Sequence, residues 1–191
     1  MSKKNQRTLI VLIVIAILFS GFLYFRDNFS KAGILRKAVN RIGYNVLEIK
    51  KPVYFTGDIK PEWIPVKDNQ EIKLNEEIGK IDQVSIILES VIHRGNDIYF
   101  NFDAIPYIKY NQGEFLYHYI INEDGTFTSY SSSIFKIYKV NQNIDVGQTG
   151  TGPDSKFSFG INIDYFEQIK NGFTFDYTGG ILYAYEKQRE E

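Results

Sequence analysis

The stretch FLYHYIINEDGTFTSY, residues 115–130, decides the fold class. Asp124-Gly125 sits between two runs rich in aromatic and β-branched residues, the strongest short-range cue for a β-hairpin. Strand signals spread outward from it. Residues 84–93 and 97–103 flank Arg94-Gly95-Asn96, a second hairpin turn, and Ile98, Phe100 and Phe102 share one face of the second strand. Residues 107–110 precede the 115–121 run across Asn111-Gln112-Gly113. Residues 134–140 and 157–163 alternate as strands do, and 173–177 with 181–186 across Thr178-Gly179-Gly180 reads as a terminal hairpin. The chain holds 14 Tyr and 15 Phe, residues that favour strands and bury large areas. The expectation is a mainly β domain, an antiparallel sandwich or open barrel of about eight strands.

Before the strands, an apolar run from Leu9 to Phe25 follows Lys3, Lys4 and Arg7. As a helix it is about 26 Å long, close to the hydrocarbon thickness of a bilayer. A cleaved signal peptide needs a shorter apolar stretch and a small-x-small site. Ser30-Lys31-Ala32 has that shape but lies beyond Arg26 and Asp27, so an uncleaved anchor is the expectation. Basic residues flank the run on both sides, with Arg26, Lys31, Arg36, Lys37 and Arg41 following it. Counting charges therefore does not orient it. Long domains cross largely regardless of charge, which favours placing the C-terminal domain outside the cytoplasm. The organisation expected is a basic tail (residues 1–7), a transmembrane signal-anchor (8–25), a juxtamembrane helix or linker (26–43), a β domain (44–187) and a solvated tail (188–191).

Within the linker, Ile34, Leu35, Ala38, Val39 and Ile42 recur at helical spacing, with Ser30 as the cap and Gly43 as the stop. Such a helix can lie on anionic headgroups, or pack its apolar stripe on the domain that follows; the second is expected. Pro52, Gly57, Pro61 and Pro65 break the next segment, which reads as a loop or edge with Trp63 plugging the core.

Composition excludes several chemistries. There is no Cys, which removes disulfides, lipidation on cysteine, cysteine zinc sites and thiol catalysis. With Lys3, Lys4 and Arg7 set aside, 19 basic and 23 acidic residues remain, a formal charge of −4 with no general field for nucleic acid. His93 and His118 are the only histidines, and no H-E-x-x-H pairing exists, so no metal or cofactor is expected. His118 reads as a half-buried strand residue and His93 as an exposed one beside a turn. No G-x-S-x-G occurs, and Ser131-Ser132-Ser133 reads as a polar connection. Residues 141–156 read as a long loop; its Gly147-Gln148-Thr149-Gly150-Thr151-Gly152-Pro153 lacks the Lys and helix of a phosphate cradle.

A carboxylate pair for glycoside hydrolysis can be drawn from Glu89, Asp97, Asp103, Glu114 and Asp176, but the pattern selects no two of them. Tyrosine offers a stronger lead, being rigid and amphipathic and suited to stacking on sugars or filling protein interfaces. Tyr99, Tyr107, Tyr110, Tyr117, Tyr119, Tyr130 and Tyr138 crowd the middle of the domain, and Tyr107, Tyr110, Tyr117 and Tyr119 are the candidate ligand-binding residues. The expected function is a membrane-anchored, non-enzymatic β domain outside the cytoplasm, binding an envelope protein or wall glycan. An envelope hydrolase, or a cytoplasmic-facing domain of a membrane complex, are the alternatives. The abundance of Lys, Asn, Ile and Tyr points to a low-GC bacterial source.

Overall fold

The computed structural model describes residues 3–130, 134–139, 142–144, 146–152 and 155–189. Helix α1 (Lys3–Phe29) leads into α2 (Lys31–Val39), and β strands dominate from Tyr44 onward. In chain order these are β1 (Tyr44–Lys50), β2 (Val53–Ile59), β3 (Gln70–Ile81), β4 (Val84–Arg94), β5 (Asp97–Ile105), β6 (Tyr107–Ile108), β7 (Gln112–Tyr117), β8 (Tyr119–Ile121), β9 (Phe127–Ser129), β10 (Ile134–Lys139), β11 (Gln142–Ile144), β12 (Thr149–Thr151), β13 (Lys156–Asn162), β14 (Phe173–Gly179) and β15 (Ile181–Lys187). A short α3 (Phe166–Ile169) precedes β14. All pairings are antiparallel, in sheets ordered β1-β15-β7-β6, β11-β10-β14-β2, β12-β13-β5-β4-β3 and β8-β9, and none of these sheets closes into a barrel. The mainly β expectation holds, with more strands than the eight expected.

Two strands escaped the sequence pattern for physical reasons. In β2, Pro52 lies just outside the strand, and Gly57 is there because the Phe175 ring occupies the space beside it. A Cβ at Gly57 would sit 2.8 Å from that ring. β3 is an edge strand whose register against β4 shifts twice, between Lys73 and Glu76 and between Glu77 and Gly79. Those shifts erase a simple alternation, and its Lys and Glu residues suit an edge that must not recruit another strand. The expected 141–156 loop likewise contains β11 and β12, each only three residues long.

One expected hairpin is re-paired and another is shortened. β14 pairs with β10 and β2, whereas β15 pairs with β1 and β7, so Gly179-Gly180 is a crossing between sheets. Gly180 has φ +64° and packs tightly on Leu116, which suits such a change of direction to glycine. The 115–121 run breaks at His118: β7 belongs to the β1-β15-β7-β6 sheet, and β8 pairs with β9. The turn itself forms as expected, with Asn122 N donating to Thr126 O at 3.0 Å and Gly125 at φ +81°.

The main core takes Phe55, Phe135, Phe175 and Tyr177 from one four-stranded sheet and Phe100, Phe102, Phe157 and Phe159 from the five-stranded sheet. Rings from the two sheets touch, Phe135 and Phe159 at 4.7 Å and Phe102 and Phe175 at 5.5 Å. Trp63 is buried at the edge of this core, with the Lys60 ammonium 4.8 Å above its ring. A second core lies under α2, where Ile34 and Ala38 meet Tyr44, Phe115, Tyr183 and Tyr185. Thus α2 packs on the domain, capped by Ser30 Oγ accepting from Gly33 N at 3.0 Å. The helix stops at Val39, short of Ile42, because Arg41 already adopts φ +57°.

Candidate functional site

Strands β10, β14 and β2 lie side by side, and their outward residues form three rows. The register places Ile134 beside Thr178 beside Tyr54, then Lys136, Asp176 and Thr56, then Tyr138, Thr174 and Asp58. The opposite face of the same strands carries Phe135, Ile137, Phe175, Tyr177 and Phe55 into the core. The fold therefore does not need aromatic rings on the outer face, yet Tyr54 is 52% and Tyr138 45% exposed there.

Their hydroxyls converge on Asp176. Thr56 Oγ1 donates to Asp176 Oδ1 at 2.7 Å and lies 3.0 Å from Tyr54 Oη. The Thr56 hydrogen bond, with those of Tyr54 and Tyr138, holds the Asp176 carboxyl below its ordinary value. Tyr138 is correspondingly raised, chiefly by its hydrogen bond to that carboxylate. In the row below, Thr174 Oγ1 donates to Asp58 Oδ1 at 2.5 Å. Tyr54 and Tyr138 are both diagonal neighbours of Asp176, about 7–8 Å away across a sheet. A tyrosine that reaches a diagonal neighbour must lie along the sheet and turn one ring face to solvent. The result is two rings flanking a central row of Lys136, Asp176 and Thr56.

The sequence candidates lie elsewhere and do not form one surface. Tyr117 and Tyr119 are half-buried neighbours, ring centroids 5.3 Å apart, with Phe127 6.2 Å from Tyr117. Tyr117 and Phe127 help line a cavity of about 420 Å³ with Leu35, Val39, Pro106 and Phe115, under α2. Tyr110 stacks on Phe29 of α1 at 5.1 Å. Tyr107 borders a different cavity of about 260 Å³, beside Gln83 and Glu114. Tyr99 meets Arg94 and Gln148, and Tyr130 lies under the Lys51 ammonium. Of the tyrosines that crowd the sequence, Tyr138 is the one on the outer face described above. Its counterpart Tyr54 lies in a segment whose prolines read as a loop or edge, and β2 is the edge strand of its sheet; the alternation Tyr54, Thr56, Asp58 is the signal that marks it.

Of the carboxylates drawn for hydrolysis, Glu89, Asp97, Glu114 and Asp176 each meet a different group. Glu89 pairs with Lys156 at 2.7 Å. Glu114 accepts from Gln83 N and Nε2, both at 3.0 Å. Asp97 accepts from Tyr99 Oη at 3.4 Å, and Asp103 borders the cavity under α2. Among the described residues no three His, Asp or Glu side chains gather as metal ligands.

Both histidines are interior. His93 is 7% exposed, contrary to the expected surface position. A register shift between Leu88 and Ser90 reverses the alternation of β4, turning Val91 and His93 inward. His118, expected half-buried, is 1% exposed, and burial pushes its pKa down to about 4. Neither is placed to act as a solvent-facing base. Ser131-Ser132-Ser133 lies outside the described residues.

Comparison with protein-family models, with curated proteins and with solved structures finds no match to this chain.

Proposed function

We propose that this chain is a membrane-anchored, non-enzymatic binding domain that faces the cell wall and holds a glycan on the outer face of β10, β14 and β2. The observation that carries the reading is the convergence of Tyr54, Thr56 and Tyr138 on Asp176 across an open sheet face. A sugar ring has an apolar C–H face and a hydroxyl edge. Exposed tyrosine rings suit the first, and carboxylate, threonine hydroxyl and lysine ammonium suit the second. Tyr54 Oη is held against Thr56 at 3.0 Å and the Tyr138 hydroxyl acts on the same carboxylate, which limits the side-chain freedom lost on binding.

The wider arrangement is compatible with this role. Residues Leu12–Phe29 form a helix long and apolar enough to cross a membrane, read here as an uncleaved anchor. The ring contacts between the β11-β10-β14-β2 sheet and the five-stranded sheet support a face-to-face sandwich behind the platform. The separate partners of Glu89, Asp97, Glu114 and Asp176 favour binding over hydrolysis. The length of the domain makes flanking charge a weak brake on translocation, which supports the exported orientation.

The test is co-sedimentation of the full chain, kept in mild detergent, with insoluble peptidoglycan. The reading expects retention, and expects Tyr54→Ala or Tyr138→Ala to weaken it about tenfold, the loss of one stacked ring. Unchanged retention in both variants refutes the platform.

A further inference from the structure

Helix α1 does not end in a flexible tether. Its last turn is fastened to α2 through Ser30, whose Oγ donates to Arg26 O, through an Arg36–Asp27 ion pair at 3.0 Å, and through Lys37 Nζ donating to Asn28 Oδ1. Gly33 permits the bend, since a Cβ there would lie 2.5 Å from Asp27 O and 2.6 Å from Arg26 O. The helix pair is an elbow with one close-packed geometry, and α2 is in turn buried on the β domain.

The same end of α1 touches the domain directly. Phe25 and Phe29 stack at 5.5 Å, and Phe29 stacks on Tyr110 at 5.1 Å. The loop holding Tyr110 is tied down on three sides. Tyr185 Oη donates to Lys109 O at 2.7 Å, Tyr44 Oη to Tyr110 O at 3.1 Å, and Lys187 N to Asn111 O at 2.7 Å. The Lys187 ammonium sits 4.2 Å above the Tyr110 ring, and that of Lys109 4.9 Å above Tyr107.

We infer that the β domain is seated on the bilayer surface, with Tyr110, Lys109 and Lys187 among anionic phospholipid headgroups. This rests on the reading of α1 as a membrane span. With charged Arg26 and Asp27 placing the hydrocarbon boundary at Phe25, Phe29 lies one helical turn further, about 6 Å along the axis, and the headgroup layer on each side of a bilayer is about 5–7 Å deep. Phe29 and the Tyr110 ring stacked on it therefore fall within that layer. Tyr24, Phe25, Phe29 and Tyr110 make an aromatic belt of the kind that sits at membrane interfaces. The groups around it are mostly basic, Arg26, Lys31, Arg36, Lys37, Lys109 and Lys187 against Asp27, and complement lipid phosphate.

The absence of cysteine makes this measurable with single-cysteine variants of the full chain. Lys109→Cys and Glu167→Cys, the second on α3 over the main core, each carry an environment-sensitive dye. Both are reconstituted in phosphatidylcholine–phosphatidylglycerol vesicles containing a headgroup nitroxide lipid. Flotation with the vesicles and resistance to alkaline extraction report on the span. The expected result is flotation of both variants, with the dye at 109 quenched about threefold more than that at 167. Gly33→Leu, which opens the elbow, is expected to bring quenching at 109 down to the level at 167. Equal quenching in floating protein overturns the seating while leaving the span intact. Unchanged quenching in Gly33→Leu overturns the elbow, and failure to float removes both the span and the seating.

Discussion

His118 Nε2 lies 3.0 Å from Tyr177 Oη in the interior, joining the break between β7 and β8 to the central strand β14. The bond crosses from one sheet to another at a point where the chain leaves its ladder. Burial favours the neutral imidazole, lowering its pKa from 6.5 to about 4. Above pH 6.5 both folded and unfolded chains carry a neutral His118, and its contribution is fully present. As pH falls from 6.5 toward 4, the unfolded chain takes up a proton that the folded one refuses, so stability drops.

The drop should approach about 3 kcal/mol across that window. Urea unfolding at pH 7 and pH 4.5, compared with His118→Gln, checks it. The variant keeps a hydrogen-bonding group near Tyr177 and should show a smaller loss on acidification. An equal loss in both proteins assigns the effect to other groups.

Gly113 faces the Tyr107 carbonyl and the Tyr185 ring so closely that a side-chain carbon has no room. Gly113→Ala should cost about 1–3 kcal/mol by overpacking, although it adds a single methyl group. A lowered urea midpoint with an unchanged slope is the expected signature.

Phe159 is fully buried and touches Phe100, Phe102, Phe135 and Phe175. Phe159→Ala should destabilise by about 3–5 kcal/mol through the cavity it leaves. Tyr138→Ala, on the open face, should stay within about 0.5 kcal/mol of the parent. Comparable losses at both positions place Tyr138 in the core and remove it from any binding surface.

Thr56→Val removes the strongest hydrogen bond to Asp176 and should raise that carboxyl toward 3.8. Peptidoglycan retention should weaken with it, because the carboxylate loses the hydroxyl that orients it. An unaltered Asp176 titration, followed by NMR, separates the network from its assigned role.

Much of this fold was legible where one face of a strand is simply buried. Ile98, Phe100 and Phe102 alternate in sequence and point together into the core. Asp124-Gly125 turns as its residue types require. The pattern failed where the ladder is irregular: the shift before Ser90 reverses β4 and buries His93, and the shifts along β3 conceal that strand. Pairing failed at Gly179-Gly180 because local turn chemistry does not reveal whether two strands continue in one sheet or part into two. The candidate site was half legible. Tyr138 stood out on an alternating strand, but its relation to Tyr54 and Asp176 is made by pairing β10, β14 and β2, segments far apart in sequence.

The side of the membrane that carries the β domain decides whether its outer face can meet wall glycan. The full chain with a C-terminal tag, expressed in host cells converted to protoplasts, is treated with protease before and after lysis. Loss of the tag from intact protoplasts is the predicted result. Protection until lysis would place Tyr54, Asp176 and Tyr138 on the cytoplasmic side and contradict the wall-glycan reading.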